Sequence, residues 1–280
     1  MICQWQSVIS VLPGWMKQSV DELGRENLQE LRLRLGQAPR LCLRDGQKEL
    51  SQNVSQEDLR FIINTASRYS PWACTSAAQG YITIPGGHRI GIGGDVILKQ
   101  GTPSGMRWVS SLCIRISRDF PGISKMVPGK GSALVIGPPG SGKTSLLRDI
   151  VRSRSDTGPG SICVIDERLE IFPVTQERFC YYPGKRTDVI SGCPKREGVD
   201  MAIRCMGPSA IAVDEITAEQ DCRALINAGG CGVDVIATAH AASKQELMTR
   251  PVYKPLLNMG LFHTLVVMKM DKSYHTERMT

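Results

Sequence analysis

Residues 137–144 read Gly-Pro-Pro-Gly-Ser-Gly-Lys-Thr, and this octet admits few folds. It fits the pattern G-x-x-x-x-G-K-[ST] at every fixed position. Ahead of it, Ala133 to Ile136 form an apolar run of the length of a buried strand; behind it, Leu146, Leu147 and Ile150 share one helical face. A strand entering a glycine-rich turn that opens into a helix is the context the pattern needs. Gly137, Gly140 and Gly142 allow backbone conformations closed to other residues, so that N–H groups can turn inward as a nest for phosphate oxygens. The expected phosphate-binding set is Gly137, Pro138, Pro139, Gly140, Ser141, Gly142, Lys143, Thr144 and Ser145. Lys143 is expected to reach the β- and γ-phosphates and the Thr144 hydroxyl to ligate Mg²⁺, with the positive end of the helix dipole aimed at the anion. These residues imply ATP with Mg²⁺ as the ligand pair.

Composition narrows the class around that loop. With 280 residues the chain is too long for one small core, and 41% apolar with 22% charged residues is the make-up of a globular protein. No apolar run approaches the ~20 residues of a membrane span. The start, MICQWQSVISVLPGWMK, lacks the basic opening and continuous apolar core of a signal peptide, so a cytoplasmic location is expected. The 10 cysteines are scattered without a C-x-x-C pair, which favours reduced thiols over disulfides or a sulfur-bound metal. Net charge is +7, and the surplus sits early: 16 Lys and Arg face 10 Asp and Glu in residues 1–130, against 18 and 17 beyond. A basic half can serve nucleic acid, an anionic membrane or an acidic partner. Here the excess is dispersed and has little aromatic interleaving, which argues against nucleic acid as the partner.

The patterning divides the chain. Residues 1–29 read as weakly helical, with Ile9, Leu12 and Trp15 facing inward. Glu30 to Leu35 alternate with period two, as do Leu41 and Leu43, and both read as half-buried strands. Ser55 and Asp58 form a capping box ahead of a helix that carries Leu59, Ile62, Ile63 and Ala66 on one face. Tyr81 to Ile84 and His88 to Leu98 read as a hairpin, and residues 107–117 alternate again. These elements make residues 1–120 a small α+β domain. Residues 121–130, rich in Pro and Gly, are the expected linker. From 131 to 280 strands alternate with helices, the sign of a parallel sheet, with strands expected at 132–136, 161–165, 210–213, 233–238 and 264–269.

Three strand ends beyond the phosphate loop carry chemistry. Ile211 to Val213 run into Asp214 and Glu215; Asp214 suits holding Mg²⁺ and Glu215 suits polarising the attacking water. Val164 and Ile165 run into Asp166 and Glu167, a second acidic pair that shares the candidacy for catalytic base. His240 ends Ala237-Thr238-Ala239, where a polar group can sense the γ-phosphate. Against these stand plainer readings: strands capped by surface carboxylates, an exposed turn, a structural histidine.

The order of phosphate loop, first acidic strand, second acidic strand and the Thr-Ala-His strand resembles the secretion-ATPase branch of RecA-like rings, which power secretion and pilus retraction. Ile203 to Pro208 are similar to the end of the helix preceding the second acidic strand in that branch. A narrower resemblance is to the stage III sporulation AA family of endospore formers. It rests on Gly80 to Ile84, Gly86 to Gly91, Ser110 to Leu112, Ile114 to Ile116, Leu146 to Asp149, Asp166 to Arg168, Arg186 to Val189, Cys193 to Lys195 and Asp214 to Ile216. Leu169 and Thr217 depart from it, standing where Ser and Gly are expected. The resemblance implies a RecA-like P-loop ATPase domain behind a smaller α+β domain. It also implies a homo-oligomer, a hexameric ring, at the cytoplasmic face of the mother-cell membrane. There it would energise a channel complex between mother cell and forespore, through membrane-embedded partners.

Rival readings are a nucleic-acid-dependent ATPase, a pilus or secretion ATPase outside sporulation, and a nucleotide-gated scaffold with negligible turnover. In rings of this kind an arginine from a neighbour closes the γ-phosphate. Arg115 is the candidate, because alternation turns it outward between Ile114 and Ile116; Arg89 and Arg118 are further ones.

Overall fold

The computed structural model describes residues 1–67, 80–175 and 177–279. The chain divides into two compact units, Met1–Asp119 with Pro173–Tyr181, and Phe120–Phe172 with Tyr182–Thr280.

In the first unit the period-two stretches become strands: β1 (Leu28–Arg34), β2 (Arg40–Leu43), β3 (Gly46–Glu49), β4 (Tyr81–Ile84), β5 (His88–Lys99) and β6 (Thr102–Arg115). They form one antiparallel sheet in the order β3-β2-β1-β6-β5-β4. Register sets Leu31 opposite Ile114 and Ile114 opposite Ile90, so the inward residues of three strands meet on one face. Helices Trp5–Val11, Gly14–Asp21 and Gln56–Ser67 contribute Val8, Met16, Leu59 and Ile62 to the same core, joined by Leu12 just past the first helix, all fully buried. The capping box forms: the Ser55 N–H donates to Asp58 Oδ2 at 2.9 Å and the Asp58 N–H to Ser55 Oγ at 3.1 Å. β6 starts earlier than alternation alone indicates. Gln100 and Gly101 take φ of 51° and 77°, a pair of positive values that makes the tight turn joining β5 to β6.

The opposite face of this sheet carries arginine. Arg32 lies across from Arg40, and Arg115 across from both Glu30 and Arg89. The Arg115 side chain is 69% exposed, with Nε 3.7 Å from Glu30 Oε2. Arg89 instead covers the Tyr81 ring at 3.8 Å. Arg118 is committed to its own unit, donating to the Arg25 carbonyl at 2.8 Å and to that of Leu28.

Pro173–Tyr181 forms the short pair β9 (Val174–Thr175) and β10 (Arg178–Phe179), and it belongs to the first unit although it is encoded within the second. The Tyr181 hydroxyl donates to the Gly86 carbonyl and pairs with the Ser117 hydroxyl, both at 2.6 Å.

In the second unit strands at 133–136, 162–166, 210–213, 234–239 and 264–268 stand close to where apolar runs indicate them. With β7 (Ala133–Ile136), β8 (Ile162–Asp166), β11 (Thr187–Ser191), β12 (Ala210–Val213), β13 (Asp234–Ala239), β14 (Thr264–Met268) and β15 (Tyr274–Arg278), the sheet order is β11-β8-β12-β13-β7-β14-β15. Only β15 runs antiparallel to its neighbour. The central strands β7 and β12 are buried at every position, the pattern of a parallel sheet covered on both faces. β11 and β15 have no such pattern because they are edges, half-exposed along their length.

The Pro- and Gly-rich stretch Phe120–Lys130 is part of the second unit. It is held by charges on the helix Lys143–Thr157: Asp149 accepts from the N–H groups of Gly122 and Ser124 at 2.9 and 2.8 Å. Arg154 donates to the carbonyls of Pro128 and Gly131 at 2.7 and 2.8 Å. Nine cysteines are free thiols among the described residues, with Cys74 outside them; burial pushes Cys163 and Cys222 up to about 11.

His88 is fully buried in the first unit. Its Nδ1 accepts the Ser117 N–H at 2.9 Å and its Nε2 donates to the Gln4 carbonyl at 3.1 Å, so the ring is neutral in a fixed tautomer. Burial lowers its pKa from 6.5 to about 4, the Gln4 bond opposing. Between those values the unfolded chain binds a proton that the folded chain refuses, so stability falls as pH drops through that window. The loss should reach at most about 3 kcal/mol. Urea unfolding of wild type and His88→Gln across that window should show a shallower slope in the variant; equal slopes would remove His88 as the cause.

Candidate functional site

The carboxyl ends of β7, β8, β12 and β13 lie along one edge of the second sheet, where open α/β sheets form their binding crevice. β13 separates β7 from β12, so the phosphate loop and the second acidic strand are two positions apart.

The loop after β7 has the backbone its sequence requires. A Cβ on Gly137 would lie 2.6 Å from Ser141 Oγ and 3.0 Å from the Met268 carbonyl oxygen, so only glycine fits. Gly142 caps the following helix at φ 98°, which L side chains rarely adopt. Lys143 is buried; its ammonium donates to the carbonyls of Gly137 and Pro138 at 2.9 and 3.0 Å and to His240 Nδ1 at 3.1 Å. Burial lowers its pKa below the ordinary lysine value, while Asp214 and Glu215 pull the other way. Pro139 and Gly140 are exposed, and Ser145 is half-buried in the helix's first turn.

Two hydroxyls, one from the phosphate-loop helix and one from β13, meet on Asp214 at the end of β12. Its Oδ2 accepts the Thr144 hydroxyl at 2.6 Å and its Oδ1 accepts the Thr238 hydroxyl. Thr238 Oγ1 in turn accepts the Glu215 N–H at 2.8 Å. Glu215 sits at φ 53°, in the left-handed region, a strained setting worth roughly 1 kcal/mol for a residue with a Cβ. Its Oε1 lies 2.9 Å from His240 Nε2 and its Oε2 is ion-paired to Arg168. Because an ammonium only donates, His240 Nδ1 accepts from Lys143, and Nε2–H donates to Glu215. A continuous chain of bonds thus runs from Lys143 through His240 to Glu215.

The first acidic pair divides. Asp166 is 2% exposed, and its oxygens accept the N–H groups of Glu170, Ile171 and Phe172 at 2.8, 3.0 and 2.8 Å. Burial, with Asp214 nearby, pushes its carboxyl up against the pull of those three donors. Both carboxylate oxygens are engaged in shaping the loop after β8, which Arg148 also clasps through the carbonyls of Glu170 and Ile171 at 2.9 and 2.6 Å. Glu167 is ion-paired to Lys195, whose side chain is 6% exposed. Asp166, Glu167, Arg168, Lys195, Asp214 and Glu215 all line one small cavity.

The structure therefore brings together Lys143, Thr144, Asp214, Glu215 and His240 through hydrogen bonds, and Glu167 lines a cavity with Asp214 and Glu215. Arg115 belongs to the other unit. Pattern reading missed Thr238, Arg168 and Lys195 as partners. Lys195 carried a signal: it opens the helix Lys195–Met201, where the dipole disfavours a cation, so a carboxylate partner was called for. Arg168 carried none.

The residues fit a nucleoside triphosphate with Mg²⁺. Ser141 Oγ, in the phosphate loop, is buried without a hydrogen-bond partner, a polar atom set for a ligand's oxygen. Among the described residues no group of three His, Cys, Asp or Glu could hold a metal unaided.

The family model described as sporulation stage III, protein AA, matches residues 6–278. Stage III sporulation protein AA of Bacillus subtilis (strain 168) is 38% identical over 268 residues, 89% of this chain and 86% of that protein. Among solved structures, the Legionella pneumophila ATPase DotB is similar at a TM-score of 0.63 and 17% identity, covering 95% of this chain and 80% of that one. The pilus retraction motor PilT, solved with bound ADP, is similar at a TM-score of 0.64 and 16% identity, with 95% and 82% covered. At those identities the likeness is one of fold: an α/β RecA-like P-loop domain preceded by a smaller α+β domain.

The Lys195–Glu167 pair generates a stability test. Glu167→Gln leaves a buried ammonium without its counter-charge and should cost about 1–3 kcal/mol. Lys195→Met combined with Glu167→Gln should recover part of that loss in a double-mutant cycle by chemical denaturation; strictly additive losses would show the pair to be uncoupled.

Proposed function

The chain belongs to the sporulation stage III protein AA family, and on that premise we propose that it is a Mg²⁺-dependent ATPase motor that energises a membrane channel complex of sporulation. The observation that carries this reading is the convergence of Lys143, Thr144, Asp214, Glu215 and His240 on one sheet edge, built by hydrogen bonds rather than by chance proximity. ATP is the substrate: its β- and γ-phosphates are received by the loop's N–H groups and by Lys143. Thr144 and Asp214 would hold Mg²⁺, which supplies charge neutralisation at the phosphate oxygens.

Glu215 is the base. It orients a water and accepts its proton as the water oxygen bonds to the γ-phosphorus. The bond from phosphorus to the bridging oxygen breaks, and ADP departs with that oxygen's electron pair, leaving inorganic phosphate. Glu167 is the weaker candidate, because its carboxylate neutralises a buried ammonium it cannot leave without cost. Asp166 serves by fixing the loop that carries Glu167 and Arg168.

No helix of the described residues is long and apolar enough to cross a membrane. The reading assigns the membrane-embedded part to partner proteins, with this chain as a homo-oligomeric ring, a hexamer, at the cytoplasmic face of the mother-cell membrane. Arg115, outward on the first unit's sheet and 69% exposed, is the arginine offered to a neighbouring subunit's γ-phosphate.

Two experiments test this. Glu215→Gln should bind ATP at least as tightly as wild type and hydrolyse it about 10²–10⁴-fold more slowly, whereas Lys143→Ala should weaken ATP binding about 10–100-fold. Wild-type affinity in Lys143→Ala, or wild-type turnover in Glu215→Gln, would sink the site. For the ring, Arg115→Ala and Glu215→Gln proteins, each slow alone, should regain activity when mixed, since some interfaces then pair an intact arginine with an intact base. No recovery on mixing, with mixed oligomers verified by mass, would count against an arginine in trans.

A further inference from the structure

Two cations at this site are bound to the site's own acceptors. The Lys143 ammonium rests on two carbonyls of its loop and on His240. The Arg168 guanidinium rests on Glu215, so both oxygens of the proposed base are occupied, one by Arg168 and the other by His240. Lys143 has a known destination in any phosphate loop. Arg168 has none in the motif, and its placement differs from that of its neighbour in charge, Lys195. The Lys195 side chain is 6% exposed and fixed against Glu167 inside the fold; that of Arg168 is 53% exposed and makes one ion pair among the described residues. It springs from the turn that follows β8, closed by the Leu169 N–H on the Asp166 carbonyl at 3.3 Å, and about half of its side chain faces solvent. A guanidinium beside a carboxylate, at the edge of a cavity shared with Asp214, faces a competition when a triphosphate enters. The terminal phosphate offers three oxygens and about two negative charges near neutral pH, against the single charge of a carboxylate, and its geometry suits bidentate pairing.

We propose that Arg168 is the chain's own ligand for the γ-phosphate: it masks Glu215 while the terminal phosphate is absent and transfers to that phosphate when ATP binds, releasing the base. The inference rests on the nucleotide reading of the site. It assigns Arg168 two linked tasks, catalytic contact with the transferred group and discrimination of ATP from ADP, since ADP has nothing to draw the guanidinium off Glu215. It differs from the arginine offered in trans, because it acts within one chain and at the level of nucleotide binding.

The test uses the full chain and equilibrium binding of Mg-ADP and of a non-hydrolysable ATP analogue, so that no turnover is needed. Arg168→Ala should keep ADP affinity within about twofold and lose about 10-fold or more of the preference for the analogue. Arg168→Lys should restore part of it, and an unchanged melting temperature would confirm that the exposed side chain is not structural. Glu215→Gln, which frees Arg168 from its counter-charge, should tighten the analogue several-fold without changing ADP, and that gain should vanish in the double variant. ATPase turnover of Arg168→Ala should fall about 10²-fold or more. Equal weakening of both nucleotides, or no change in either, would overturn the role of Arg168. If the wild-type chain bound neither nucleotide while remaining folded, the reading of the whole site would fall instead.

Discussion

The Asp214 carboxylate joins parts of the chain that the sheet alone would only place near one another. One oxygen takes the hydroxyl of Thr144 from the phosphate-loop helix; the other takes the hydroxyl of Thr238 from the intervening strand. Because β13 lies between β7 and β12, any link from loop to acidic strand must cross it, and Thr238 is the residue that makes the crossing polar. Its hydroxyl also receives the Glu215 N–H, which holds that residue in a left-handed backbone no local preference would select. Such strain persists only where surrounding bonds over-determine it. The direction in which Glu215 presents its carboxylate is therefore a consequence of a threonine on the neighbouring strand.

Charged side chains play a parallel part along the helix Lys143–Thr157. Arg148, Asp149 and Arg154 are 3%, 2% and 6% exposed, a degree of burial that charged groups reach only when their bonds are met. Their partners are main-chain groups of two irregular segments, Gly122 to Gly131 on one side and Glu170 to Ile171 on the other. Buried backbone outside regular structure needs such partners. One helix thus carries the phosphate loop at its start and stabilises two long loops along its length, with Asp166 closing the second from within.

Much of this was legible in the residues. Period-two runs around Leu31 and Leu33, the capping box at Ser55 and Asp58, and the apolar strands ending in Asp166 and Asp214 are local signals, and local signals survive folding. The phosphate loop was legible because its chemistry restricts both residue type and spacing. What escaped has a common cause. β11 and β15 are half-exposed edges without an apolar run, so nothing in their composition marks them. The stretch Phe120–Lys130 reads as a free linker because the side chains that hold it, Asp149 and Arg154, lie far along the sequence. Arg168 and Thr238 acquire their partners only through strand order, which alternation does not reveal. Asp166 was recognisable as acidic at a strand end, but not as a carboxylate whose oxygens would be engaged by the backbone four to six residues on.

The membership of Pro173–Tyr181 in the first unit bears on how the protein is made. A ribosome delivers the chain in order, so Met1–Asp119 emerges without the tyrosine that joins Gly86 to Ser117. At ordinary elongation rates, the wait from Asp119 to Tyr181 is about 3–12 s. By the end of that interval β7 and β8 have emerged but their sheet cannot close, because β12, β13 and β14 are still to come. The first unit therefore completes in the middle of the second one's synthesis, and the two mature as interleaved rather than successive folding events. The chain as a whole inherits that schedule: its second sheet, which ends in β15, is not complete until nearly all of the chain has left the ribosome.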